Sequence, residues 1–222
     1  MVGEGQTEET FVRDVLGPDF ANRNILLDPR LIRTSPAGLG GALRYDRVLR
    51  YLRHTLRQRA DTYVTTFFDL YAIRTDFPGY EEARGLLDPL ARAGAIESRI
   101  HESVVREAAC REDRFFAHIQ PYEFEALLFS DVGRLVEIEP DWHGLEIRLA
   151  AVRAAARSPE HINDGVETHP AERLVRILRQ PRYRKVLHGP RGAVRIGLPR
   201  IHEECQHFAA WLEKLRGLRP LP

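Results

Sequence analysis

Apolar residues recur along the chain at two spacings, and the alternation between them outlines the fold. From Glu8 to Leu16, Phe11, Val12, Val15 and Leu16 share one helical face, and Thr7 stands in the N-cap position. The stretch from Asn24 to Leu31 holds a short apolar run, Ile25-Leu26-Leu27, that suits a strand. Tyr45 to Arg59 carries Val48, Leu49, Leu52 and Leu56 as the buried stripe of a helix. Thr62-Tyr63-Val64-Thr65-Thr66-Phe67-Phe68 is β-branched and aromatic, which predicts a strand ending at Asp69. After a loop with Asp76-Phe77-Pro78-Gly79 comes an amphipathic helix through Leu86, Leu87 and Leu90, then a second strand at Phe115 to Ile119.

Strands alternating with helices predict an α/β fold, a mostly parallel sheet flanked by helices with right-handed crossovers. Beyond Leu145 the period becomes helical, over Leu149 to Arg157, Ala171 to Arg179 and Ile201 to Leu215. The expected organisation is an α/β core over residues 1–145 and a helical C-terminal extension over 146–222 that packs on it.

Composition narrows the class. At 222 residues and 43% hydrophobic, the chain can bury a core without disulfide or metal staples, and disorder, collagen and coiled coil are excluded. Its two cysteines, Cys110 and Cys205, are too few for a disulfide framework. No apolar run reaches the roughly 20 residues of a membrane span, and Met1-Val2-Gly3-Glu4-Gly5 lacks the features of a signal peptide. The expectation is a cytoplasmic protein without membrane association.

Acidic and basic side chains balance at 32 and 33, which hides an asymmetry: Lys185 and Lys214 are the only lysines, and the other basic residues are arginines. The ordinary reading of such a bias is a GC-rich genome. From Arg173 to Arg200 no Asp or Glu interrupts a run that includes Arg182, Arg184, Lys185 and Arg191. Two readings are evenly matched, a surface for phosphate and a solvated helix face.

In an open parallel sheet, ligands bind beyond the carboxyl ends of the strands, so acids placed there carry the candidate chemistry. Glu4 precedes Gly5 and the first helix, Asp69 ends the clearest strand, and Glu123 and Glu125 follow the strand ending at Ile119. Carboxylates brought together from adjacent strands repel unless a cation joins them. Mg²⁺ or Mn²⁺ suits such oxygen donors and serves phosphoryl transfer. Each acid also has an ordinary use. Glu8 and Glu9 suit a first helical turn, a strand-ending Asp suits a turn or cap, and Glu123 and Glu125 suit a solvated helix face.

Taken together, Glu4-Gly5-Gln6-Thr7-Glu8, Thr65 to Tyr71 with Asp76-Phe77-Pro78-Gly79, and Gln120 to Phe129 resemble the Toprim-like family known as domain of unknown function 4276. The resemblance continues through Ser158 to Asn163, Tyr183-Arg184-Lys185, His188-Gly189 and Ile196-Gly197-Leu198, and so covers nearly the whole chain. It implies metal-dependent phosphodiester chemistry on nucleic acid, as in topoisomerases, primases and the nuclease halves of overcoming-lysogenization-defect proteins. By that likeness Glu4, Glu8 and Asp69 hold the cation with Glu123 and Glu125 beside them. Glu4 and Asp69 take part in catalysis, and Lys185 offsets charge on the scissile phosphate. Arg182, Arg184 and Arg191 approach the nucleic-acid backbone.

Two departures stand out. Tyr71 occupies the place of the second acid of an Asp-x-Asp pair, which leaves Asp76, Glu123 or Glu125 to make up the charge, and only Met1 to Gly3 stand where the family has a full first strand. They motivate a second expectation, a catalytically weak subunit that works with a separate ATPase in phage defence or a related mobile-element system.

Other signals carry less. His202, Cys205 and His207 have metal-ligand chemistry, but on one helix His207 points away from the other two. Gly38-Leu39-Gly40-Gly41 has no following lysine, and the chain contains neither a P-loop motif nor a Gly-x-Ser-x-Gly elbow, against an ATPase or serine hydrolase.

Overall fold

The computed structural model describes residues 1–32, 43–162, 165 and 168–221; the Gly38–Gly41 run and Asn163 lie outside them. Five short strands form the sheet: β1 (Val2–Gly3), β2 (Arg30–Leu31), β3 (Val64–Asp69), β4 (Phe115–Phe116) and β5 (Ile119–Gln120). β1 pairs with β2 on one side and β3 on the other, and β3 pairs with both β4 and β5; every pairing is parallel. β4 and β5 keep one register along β3. Between them, the Thr66 hydroxyl donates to the His118 carbonyl (3.0 Å) and accepts from the His118 N–H (2.9 Å).

The helices are α1 (Gln6–Phe11), α2 (Gly17–Ala21), α3 (Tyr45–Gln58), α4 (Tyr80–Arg84), α5 (Pro89–Ala108) and α6 (Val132–Val136). They continue with α7 (Glu146–Ala154), α8 (Pro170–Ile177), α9 (Lys185–Ile196), α10 (Leu198–Glu204) and α11 (Gln206–Arg216). Successive side chains of a strand leave opposite faces of the sheet. Phe67 accordingly joins one core with Phe11, Phe124, Ile196, Phe208 and Trp211, while Phe68 joins another with Val2, Leu52, Ile96 and Ile100. Helices α1 and α7 to α11 cover the first face, α3 and α5 the second. The result is an α/β fold with a helical C-terminal region. No helix of the described residues is long and apolar enough to cross a membrane.

Several local expectations shift. The first helix begins two residues earlier, with Gly5 as N-cap and Thr7 buried inside it, and it passes into a π-helical turn over Val12–Leu16. The second strand falls at Arg30–Leu31 instead of Ile25–Leu27: backbone bonds Arg30 N to Met1 O (2.8 Å) and Ile32 N to Gly3 O (3.1 Å) fix it there, and Leu26 is exposed. Leu86 and Leu87 are also exposed and precede α5. That helix starts at an Asp-Pro signal, Asp88 accepting from Leu90 N at 2.8 Å and Pro89 taking the first position. The last expected helix is two, broken at Cys205.

Candidate metal centre

Because β1, β3 and β5 run in parallel, their carboxyl ends open on one edge, and each delivers an acid there. Glu4 follows β1, and its Oε1 accepts from the Asp69 N–H at 3.2 Å. Asp69 ends β3 and its Oδ1 accepts from the Phe124 N–H at 2.9 Å, tying it to the segment after β5. In that segment Tyr122 adopts φ 60°, a left-handed conformation uncommon for an aromatic residue, which turns the chain so that Glu123 and Glu125 face inward, both buried. Glu123 Oε1 accepts from the Ala171 N–H (2.6 Å) at the start of α8 and lies 2.8 Å from His169 Nδ1. Glu8, one turn into α1, is buried, and its Oε2 folds to within 2.9 Å of where a Cβ on Gly5 would stand.

The opposite wall is the first turn of α9. Lys185 Nζ lies 2.9 Å from Glu125 Oε2, 3.4 Å from Glu123 Oε2 and 3.6 Å from Asp69 Oδ2. Tyr183, two residues earlier, donates its hydroxyl to Glu125 Oε1 at 3.4 Å. Helix α9 is held close by small residues and a buried histidine. A Cβ on Gly189 would stand 3.1 Å from Phe124 and 3.2 Å from Thr7, and His188 Nδ1 accepts from the Arg184 N–H at 2.8 Å.

Burial first, and repulsion among the acids after it, raise Glu4, Asp69 and Glu125 above the ordinary carboxylate range. Burial, and then the charge of Glu8, push Glu4 up to about 8. Burial raises Asp69 well above the ordinary range, against the pull of Lys185 and with Glu8 and Glu4 adding to it. Glu125 rises to about 7 through burial, Lys185 opposing. For Lys185 itself burial favours the neutral amine, but Asp69, Glu125 and Glu123 outweigh it and hold the charge. Glu125 is fully buried, and its Oε2 meets the Lys185 ammonium. A buried, all-oxygen set rich in carboxylate is the donor chemistry of a hard divalent cation.

The edge therefore gathers Glu4, Glu8, Asp69, Glu123, Glu125 and Lys185. Tyr71 is half in solvent, its ring 5.8 Å from that of Tyr122 and 5.7 Å from that of His169. Asp76 is used elsewhere, its Oδ2 accepting from the Tyr45 N–H at the start of α3 (2.9 Å). The arginine run divides. Arg182 and Arg184 are exposed beside Lys185, and among the described residues neither forms an ion pair, whereas Arg191 binds Glu139 at 2.7 Å. Arg176, Arg195 and Arg200 likewise pair with Glu172, Glu137 and Glu203.

Sequence reasoning did not single out His169, or Tyr183 as the partner of Glu125. It also missed a second group: among the described residues, Glu97, His118 and His207 bring one donor atom each within 4.8 Å of one another. The signal in the sequence was there but misdirected. His202 pairs with Glu213 (2.9 Å), Cys205 contacts Ser130 Oγ (3.3 Å), and His207 turns instead toward α5.

Fold and edge together define an α/β protein with a buried acidic cluster, bridged by one lysine, at the carboxyl end of a parallel sheet. Within that class, the chain belongs to the family described as a domain of unknown function, DUF4276, whose model matches residues 3–216. No curated protein and no solved structure gives a significant match.

Proposed function

We propose that the protein is a Toprim-like, Mg²⁺- or Mn²⁺-dependent nuclease that hydrolyses phosphodiester bonds of nucleic acid. The observation that carries this reading is the convergence of Glu4, Glu8, Asp69, Glu123 and Glu125 at the edge that Lys185 closes, with the carboxyl groups of Glu4, Asp69 and Glu125 raised by burial. A buried surplus of carboxylate is costly to folding, and active sites keep such arrangements for their chemistry. Bound there, the cation would activate water and offset the charge that develops on phosphorus. Glu4 and Asp69 hold it, with Glu8, Glu123 and Glu125 completing the acidic wall. Lys185, 39% exposed, presents a compact positive charge to a phosphate oxygen arriving from solvent. Arg182 and Arg184 flank it and meet the neighbouring phosphates, with Arg191 nearly two turns further along α9.

Single- and double-stranded DNA and RNA incubated with the purified protein and Mn²⁺ test the reading. Cleavage abolished by Asp69→Ala and by chelator supports it; no cleavage, or cleavage that Asp69→Ala leaves unchanged, overturns it.

A second reading is favoured by Tyr71, whose ring packs by Tyr122 and His169 where the Toprim pattern has an acid. In it the protein is a catalytically weak subunit acting with a separate ATPase in phage defence. Calorimetric titration separates the two, since that subunit binds the ATPase and takes up neither Mg²⁺ nor Mn²⁺.

A further inference from the structure

Glu97, His118 and His207 come from three elements that approach the sheet from different sides. Glu97 lies in the middle of α5, His118 immediately before β5, and His207 in the first turn of α11. Glu97 Oε1 is the hub. It accepts from the Ile119 N–H at 2.7 Å, lies 2.7 Å from His207 Nε2, and stands 3.6 Å from His118 Nδ1, too far for a hydrogen bond. The two imidazoles stack with centroids 5.2 Å apart, and Trp211 also stacks on His118 at 4.5 Å.

Two features distinguish this group from an ordinary buried ion pair. His118 is 1% exposed, yet its Nε2 has no hydrogen-bond partner among the described residues. Gln120, on the same face two residues later, is fully buried with both amide atoms equally unpartnered. Each such group costs about 1–3 kcal/mol; the ring atom turned to Glu97 is Nδ1, so an ion between them leaves Nε2 to the Gln120 amide. The position of His207 is meanwhile fixed. The buried carboxylate of Glu160 accepts from the His207 and Phe208 N–H groups, both at 2.9 Å, and anchors the first turn of α11.

We propose that Glu97, His118 and His207 bind a first-row transition-metal ion, Zn²⁺ by the chemistry of the donors, at a site separate from the acidic edge. Two imidazoles and a carboxylate are the ligand set of such an ion, whereas the all-oxygen edge suits Mg²⁺ or Mn²⁺. Ligand atoms around tetrahedral Zn²⁺ sit about 3.3 Å apart, given bonds of about 2.0–2.1 Å. The 3.6 Å separation at His118 is near that value. The 2.7 Å contact opens by about half an ångström as the His207 ring turns, which its 15% exposure permits. Water fills the fourth position. The ion joins α5, packed on one face of the sheet, to α11, packed on the other, and so clamps the helical C-terminal region to the strands.

The test uses metal-stripped full-length protein titrated with Co²⁺, read by its tetrahedral ligand-field absorption, and with Zn²⁺ by calorimetry. The expected result is one ion per chain, Co²⁺ displaced by Zn²⁺ but not by excess Mg²⁺, and a rise in Tm with Zn²⁺. Even outer-shell partners are worth about 10–100-fold in affinity, so Glu97→Gln and His207→Gln should each weaken Zn²⁺ binding at least about tenfold. Asp69→Asn should leave it unchanged, which keeps this result apart from the fate of the nuclease reading. Absence of Zn²⁺ binding by the unsubstituted protein, or binding that both Gln variants leave intact, overturns the proposal.

Discussion

Lys185 Nζ stands 2.9 Å from Glu125 Oε2, joining the first turn of α9 to a fully buried carboxylate. The lysine is the one compact cation placed among acids that three strands deliver, and several properties of the protein hang on it.

Replacing it should expose the strain it relieves. Lys185→Met leaves Asp69, Glu123 and Glu125 without their shared counter-charge. Because the lysine is 39% exposed, solvent screens part of the loss, and a destabilisation of about 1–3 kcal/mol is expected instead of the larger cost of a fully buried pair. Chemical denaturation measures it. Saturating Mn²⁺ should restore more stability to this variant than to the unsubstituted protein.

Glu4→Gln should act in the opposite direction. The carboxamide oxygen keeps the bond from the Asp69 N–H while the cost of protonating a buried carboxyl at neutral pH disappears, so stability without divalent cation rises by about 1 kcal/mol as Mn²⁺ binding and cleavage fall. Thermal denaturation with and without Mn²⁺ reads both effects. A variant that is destabilised and still binds Mn²⁺ normally would remove Glu4 from the site.

The pH dependence follows from Glu4 near 8 and Glu125 near 7, against 4.5 for a free glutamate. Between those values the folded state holds protons that the unfolded state has released, so these acids make stability fall as pH rises from about 4.5 to 8. A cation competes with those protons. The rise in Tm caused by Mn²⁺ should be larger at pH 8 than at pH 6, and binding at pH 7 should release protons, seen as a buffer-dependent calorimetric heat. A shift independent of pH would contradict the assignment.

Gly189 sets how closely α9 approaches α1. In Gly189→Ala the added methyl meets Phe124 at 3.1 Å, Thr7 at 3.2 Å and the Tyr183 hydroxyl at 3.3 Å. A cost of about 1–3 kcal/mol is expected from overpacking. Tyr183 and Lys185 are displaced with it, so cleavage should fall by more than the loss of folded protein explains.

The arginines should separate by their partners. Arg182→Glu and Arg184→Glu should weaken nucleic-acid binding and flatten its salt dependence by about one counterion each, measured by fluorescence anisotropy over a salt series. Arg191→Ala should change affinity less, since its guanidinium is already held by Glu139 and the Ile138 carbonyl.

Much of this was legible in the sequence. β3 and α3 fall where β-branched runs and 3.6-residue periodicity place them, because those signals are local and the core rewards them directly. The strand-end acids were legible for a topological reason, since parallel strands point their carboxyl ends to one side. Short strands were harder. Arg30–Leu31 is a strand only because β1 lies beside it, and no residue preference in that dipeptide announces it.

The sequence by itself determined the α/β class, the edge that carries the acids, and the residue types gathered there, since periodicity and strand order suffice for these. Only the tertiary structure decided that Lys185 reaches across more than fifty residues to Glu125, that Asp76 serves α3 instead of the acidic edge, and that His207 meets Glu97 and His118 instead of His202 and Cys205. The physical reason is the same in each case. Which side chains meet across the sheet depends on how helices on its two faces pack, and that is set by the whole core and not by any local spacing.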